Sequence, residues 1–334
     1  MLKRKTVLLL LIIGAMLVLL AGCGSSQQSS DRQVTLKFAD AGWDSIKFHN
    51  AVAMFMIQHG MGYKVEETSG TSTLTYQAMK NGDLDIYMEA WTDNLSDYKT
   101  DVEQGNILEL GINFDDNAQG LYVPRYVIEG DEERNIRPLA PELKTVQDLK
   151  KYKEVFADPE TSGKGRIYGA IPGWEVDKIL YKKYMNYGLD KDFTYFRPGS
   201  DAALAAAFTT AYEKGLPIVG YYWEPTWLTG KYDMVRLQDT PHDPDTFTEG
   251  KGDFAAVKVT ISTNKDLAAK APDVVDFLKK YKTSSDITAK ALAHMSETKA
   301  GYPETAKWFL ANNEALWQQW VTPGQAEKIK NALK

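Results

Sequence analysis

From Val34 onward the chain alternates short strand-like runs with longer runs of helical apolar spacing, and this alternation limits it to an α/β fold. The run "VTLKF" alternates apolar and polar residues with period two. "SIKFHNAVAMFMIQHG" then carries Ile46, Met54, Phe55 and Ile57 at helical spacing, with a stop expected at Gly60. "YKVEET", "STLTYQAMKNG" and "LDIYMEA" continue as strand, helix and strand. A second set follows the loop residues 129–141, with strands "RIYGAI", "FTYF" and "PIVGYY" and helices "EVDKILYKKYMNYG" and "SDAALAAAFTTAYEKG". The strand "AAVKVTIS" and several helices complete the chain. Strands separated by helices imply parallel sheets with helices on their faces. At 334 residues about two such units are expected. Lobe 1 is expected over 34–121 plus 240–334 and lobe 2 over 122–239, with the two crossings forming a hinge.

The N-terminus reads as a targeting segment. A basic start, "MLKRK", precedes the apolar run "TVLLLLIIGAMLVLL" and the tetrapeptide "LAGC", which ends on the one cysteine of the chain. That tetrapeptide resembles the bacterial lipobox, so residues 1–22 are expected as a lipoprotein signal peptide, Cys23 as the lipidated residue and 23–33 as a flexible tether. The expected location is the extracytoplasmic face of the cell membrane, held by lipid. A lone cysteine excludes an intrachain disulfide and a cysteine-rich metal site. The formal net charge is −6 with a pI near 5.4, so no basic surface for nucleic acid is indicated.

Eight tryptophans are present, and four of them fall just after expected strands: Trp43 in "ADAGWDS", Trp91 in "EAWTDN", Trp174 in "AIPGWEV" and Trp223 in "GYYWEP". Ligands of open α/β sheets bind outside the carboxyl ends of the strands. Two such residues from each lobe would therefore meet across a cleft. Trp308, Trp317 and Trp320 stand at helical spacing and read as packing, as does Trp227. Indole faces attract cations, and quaternary ammonium groups are bound by such cages. Three desolvated rings at ~2 kcal/mol each give roughly 6 kcal/mol, short of the ~8 kcal/mol of a micromolar complex, so a further polar contact is expected.

The segments "EAWTDN", "AQGLYVP", "IPGWEVD" and "YYWEPTWLTGKYDMVRL" resemble, in order and spacing, the glycine betaine/choline-binding lipoproteins of ABC importers. The resemblance covers essentially the whole chain after the tether. It implies a two-lobe periplasmic-binding-protein fold, type II-like, with the ligand cleft between lobes, and an ammonium cage of Trp91, Trp174 and Trp223. It also implies a ligand carboxylate held partly by the main-chain N–H groups of Glu175 and Val176, at the start of a helix whose N-terminus offers free donors. Some betaine receptors place a histidine four residues after the first cage tryptophan; here that residue is Leu95. Choline-binding relatives are matched by Trp43, Trp223 and Tyr122. Acidic residues crowd the expected cleft: Asp44, Glu89, Asp93 and Glu224. Each by itself reads as a cap or solvated side chain, Asp44 as an N-cap, while together they favour a cationic ligand. The implied ligand is a quaternary ammonium osmolyte, glycine betaine first and choline or carnitine as alternatives. The implied partner is an ABC transporter permease, and a monomer is expected.

An exported enzyme is the rival class. His49, His59, His242 and His294 are scattered without HExxH spacing, His49 and His59 reading as surface or partly buried side chains. No GxSxG elbow occurs, and "SGKGR" lacks phosphate-loop spacing. No catalysis, metal or cofactor is therefore expected. A sugar-binding lipoprotein is a nearer alternative, although its usual hydrogen-bonding side chains are few at these strand ends.

Overall fold

The computed structural model describes residues 32–334, so the expected signal peptide, the lipidated Cys23 and the tether up to residue 31 lie outside the described residues. Ten strands form two five-stranded sheets. The first holds β1 (Arg32–Asp40), β2 (Tyr63–Ser69), β3 (Ile86–Trp91), β4 (Ile107–Phe114) and β10 (Val259–Asn264), in the order β2-β1-β3-β10-β4. The second holds β5 (Ala118–Pro124), β6 (Gly165–Tyr168), β7 (Phe193–Phe196), β8 (Gly220–Glu224) and β9 (Met234–Arg236), in the order β7-β6-β8-β5-β9.

The expectation of purely parallel sheets is corrected. Strands joined by helical crossovers are parallel, as in β1 with β3 and β6 with β7 and β8. Strands next to the two crossings run antiparallel: β10 against both β3 and β4, and β5 against both β8 and β9. A strand arriving from the other lobe enters its sheet without the helical crossover that enforces parallel pairing. Sheet membership also places the crossings between Phe114 and Ala118 and between Arg236 and Val259. The division expected at 121/122 falls inside β5, and the one expected at 239/240 falls between β9 and β10. Asn117 ties the two crossing segments together, its amide donating to the Val257 carbonyl at 2.6 Å and accepting from the Val257 N–H at 3.2 Å.

Local chemistry accounts for the helices that frame the strand ends. Helix α1 (Asp44–Met56) does not stop at Gly60; it runs into a π-helical turn, Ile57–Met61, and ends at Gly62, whose φ of 81° a residue without Cβ adopts freely. Helix α2 (Ser72–Asn81) starts at Thr71, whose hydroxyl accepts from the Leu74 N–H, and helix α4 (Asp201–Lys214) starts at Ser200 in the same way. Between them in sequence, α3 (Glu175–Asn186) opens directly at Trp174. The Asp44 side chain is not an N-cap: Trp43 holds that position, and no side chain caps the helix.

Two apolar cores flank the first sheet. One face packs against α1 and the C-terminal helices α5 (Ser285–Thr298), α6 (Tyr302–Asn312) and α7 (Pro323–Ala332), with Trp317 and Trp320 buried among them. The other is continuous with the core of the second sheet and contains Trp43, Trp91, Trp174 and Trp223. β3 is buried along its whole length, which period two resolves into Ile86 and Met88 on the first face and Tyr87, Glu89 and Trp91 on the second. Among the described residues no helix is long and apolar enough to cross a membrane.

Asp85, at the foot of β3, joins three elements of this sheet. Its carboxylate accepts from the Lys37 N–H at 2.9 Å, the Asn264 amide at 3.0 Å and the Lys270 ammonium at 2.8 Å. Replacing it removes the buried acceptor shared by a partly exposed ammonium and two donors. Asp85→Ala is therefore expected to lower unfolding free energy by about 3 kcal/mol, read from urea denaturation.

Candidate functional site

The carboxyl ends of β1, β3 and β8 converge with the start of α3 on a cavity between the two sheets. Atom-free space there amounts to about 420 Å³, its open mouth included. Trp43, Tyr87, Trp91 and Leu95 line it from the first lobe, with Ser72 and Asn94. Trp174, Glu175, Val176, Tyr221 and Trp223 line it from the second. The four indoles are 4–7% exposed. Trp174 stands at their centre, edge-on to Trp43 with centroids 5.4 Å apart and to Trp223 at 5.2 Å. Trp91 leans on Phe114 at 6.0 Å. Tyr221 and Tyr222 alternate across β8, and of the two Tyr221 faces this cavity.

The rings are held by their N–H groups. Glu89 lies between Tyr87 and Trp91 on the same face of β3 and is 0% exposed. One of its oxygens accepts from Trp43 Nε1 at 2.6 Å, Ser45 Oγ at 3.0 Å and Trp91 Nε1 at 3.4 Å. Trp174 Nε1 instead crosses between lobes to the Ala41 carbonyl at 3.1 Å. Burial pushes the Glu89 carboxyl up to about 7, against the three donors that favour its charged form. His49 Nε2 is 3.6 Å from the second Glu89 oxygen. The expected surface or partial exposure of His49 is corrected: it is fully buried on α1, and its Nδ1 is 2.8 Å from the Tyr281 hydroxyl. Burial lowers its pKa to about 3, so the imidazole is neutral near pH 7 and the 3.6 Å approach is not an ion pair there.

Further contacts join the lobes at the cavity rim. The Glu175 N–H donates to Ser72 Oγ at 3.0 Å, and Thr73 Oγ1 donates to the Gly173 carbonyl at 3.0 Å and to the Glu175 carboxylate. Lys178 pairs with the same carboxylate at 2.7 Å. Gly173 has φ of 88°, and a Cβ there would lie 2.6 Å from Thr71, so the close approach of the lobes requires glycine. The Val176 N–H lies in the first turn of α3, where no carbonyl four residues back is available to it.

Of the nine expected site residues, Trp43, Trp91, Trp174, Trp223, Glu175 and Val176 stand on the cavity wall. Asp44, Tyr122 and Glu224 do not. Asp44 accepts from the Tyr302 hydroxyl at 2.7 Å and faces a separate hollow with Lys47 and Asp201. Burial, followed by the charge of Asp44, pushes the Asp201 carboxyl upward. Tyr122 and Glu224 meet each other, the hydroxyl donating at 3.2 Å. Sequence reasoning puts Glu89 in the expected cleft and Leu95 at a ligand-contact position, and it misses Tyr87, Ser72 and Asn94. The period-two face of "IYMEAW" carries the signal for Tyr87 and Glu89.

The linkage of Glu89 and His49 to stability has opposite signs. The raised Glu89 pKa stabilises the fold below about 4.5, and that contribution is lost as pH rises through about 7. The lowered His49 pKa contributes stability above 6.5 that is lost as pH falls through about 3. The two slopes oppose each other between pH 4.5 and 6.5. In urea denaturation, the stability of wild type relative to Glu89→Gln is expected to fall as pH rises from 4.5 to 7.5; a difference independent of pH would contradict the Glu89 assignment.

Residues 34–312 match the family model described as the substrate binding domain of ABC-type glycine betaine transport system. A trimethylamine N-oxide-binding protein of Pelagibacter ubique (strain HTCC1062) is 22% identical over 284 residues, 81% of this chain and 88% of that protein. A glycine betaine/proline betaine-binding periplasmic protein of Salmonella typhimurium is 25% identical over 185 residues, 53% of each. Among solved structures, an ABC-transporter choline binding protein in complex with choline shares the fold at a TM-score of 0.72 and 18% identity, covering 90% of this chain and 98% of that one. Lactococcal OpuAC in its closed, liganded conformation with glycine betaine does so at 0.67 and 20%, covering 86% and 99%. The α/β architecture of two sheets around an indole-walled cavity and the match over most of its length place this chain in the family of substrate-binding domains of ABC-type glycine betaine transport systems.

Proposed function

We propose that the cavity holds a small quaternary ammonium osmolyte, glycine betaine being the first ligand to test, and that the protein hands it to the permease of an ABC importer. The observation that carries this reading is the set of four buried indoles, drawn from both lobes, on a wall to which the described residues contribute no lysine or arginine. A methylated ammonium has no N–H to donate, so it gains from electron-rich ring faces what it cannot gain from hydrogen bonds. Glu89, behind Trp43 and Trp91, adds negative potential on the side where the ammonium would rest. At the other pole the first turn of α3 offers the Val176 N–H and the positive end of a helix dipole to a carboxylate. Closure of the lobes over the ligand would present an altered surface to the permease, and lipid on Cys23 would keep the protein at the outer face of the membrane.

Choline is the second reading. Leu95, with no hydrogen-bonding group, lines the wall, and the one carboxylate on it, Glu175, gives a ligand carboxylate no favourable partner. The trimethylamine N-oxide-binding relative adds a third methylated ligand to the set. Titration of the protein with glycine betaine, choline, carnitine and trimethylamine N-oxide, followed by tryptophan fluorescence and calorimetry, is expected to show saturable binding of at least one. Binding of none, alongside binding of an oligosaccharide, would sink the reading. Trp91→Ala and Trp223→Ala are each expected to weaken binding by at least ~1 kcal/mol, and unchanged affinity in both would displace the cage.

A further inference from the structure

Asn94 follows Trp91 by three residues, in the 3-10 turn Thr92–Asn94, and its side chain stands on the cavity wall. It is 8% exposed, and among the described residues its Oδ1 has no hydrogen-bond partner. Its Nδ2 donates to Gln119 Oε1 at 3.3 Å, and the same oxygen accepts from the Tyr221 hydroxyl at 3.0 Å. Gln119 is buried as well, its Nε2 unmatched among the described residues. A buried amide atom without a partner is costly, and a leucine such as the neighbouring Leu95 would fill the turn without that cost. The 92–94 turn packs across the lobes against α3, so Asn94 belongs to the polar pole of the cavity.

We infer that Asn94 is a specificity-determining residue, its side-chain amide contacting the oxygen-bearing end of a small methylated ammonium ligand. The inference rests on the reading of the cavity as a quaternary ammonium site and extends it to the other end of the ligand. A half-turn of both amides preserves the Asn94–Gln119 contact: Gln119 then donates to Asn94 and to the Tyr221 oxygen, and the free atom of Asn94 changes from acceptor to donor. The wall can therefore accept from a hydroxyl or donate to a carboxylate or N-oxide. Asn94 and Gln119 thus supply a polar contact that the apolar Leu95 does not.

The test is calorimetric titration of wild type, Asn94→Ala and Asn94→Asp with tetramethylammonium, choline and glycine betaine. Tetramethylammonium has the cationic head and no oxygen. In Asn94→Ala, choline and glycine betaine are expected to weaken about tenfold while tetramethylammonium stays within about twofold. In the near-isosteric Asn94→Asp, which keeps the acceptor and loses the donor, glycine betaine is expected to weaken more than choline. Parallel loss of all three ligands in both variants, or loss of none, overturns the assignment and leaves the cage reading standing. Failure of wild type to bind any of the three overturns this inference, and the cage reading falls with it when carnitine and trimethylamine N-oxide also fail to bind.

Discussion

Glu89 is sealed from solvent in the middle of β3 and receives the indole N–H groups of Trp43 and Trp91 together with the hydroxyl of Ser45. A carboxylate so placed loses its hydration, and the donors aimed at it offset part of that loss. The donors benefit in turn, since an indole N–H buried without an acceptor is itself costly. The arrangement fixes both rings by their edges on the cavity wall. Replacing the carboxylate by an apolar group would free two tryptophans whose orientation is the substance of the site. His49 and Tyr281 close the far side of Glu89, so the support reaches back into the core packed against the first sheet.

The second lobe depends on a different device. Trp174 belongs to the second lobe, yet its N–H is satisfied by Ala41 of the first, and its ring stands edge-on to a tryptophan from each. Such edge-to-face pairs add about 1 kcal/mol each beyond burial. The cavity is therefore complete only when the lobes are together. Asn117, clamped to Val257 where the chain crosses twice, sits where rotation of one lobe on the other would concentrate.

Much of this was legible in the residues themselves. Strand and helix order followed from apolar period and from glycine and hydroxyl punctuation, and the four indoles at strand ends followed from that order. What was missed has a common physical origin in contacts between distant segments. The antiparallel entry of β10 and β5 depends on where the chain returns from the opposite lobe, which no local pattern encodes. Asp44 was drawn toward the site by its neighbour Trp43, yet it turns to Tyr302, 258 residues away. Tyr122 and Glu224 satisfy each other and stand off the cavity wall. Glu89 looked like a solvated acid because its burial requires Trp43, Ser45 and His49, distant from it in sequence, to close around it.

The rim contacts between Ser72, Thr73, Gly173 and Glu175 bring the N-termini of α2 and α3 face to face. Each such terminus carries roughly half a positive charge, so bringing the lobes together also brings two like poles together. The Glu175 carboxylate lies at this junction and counters the repulsion. Any closure of the cavity would thereby be an electrostatic event as well as a mechanical one: a negative group near the junction lowers its cost, and its removal leaves two opposed dipoles.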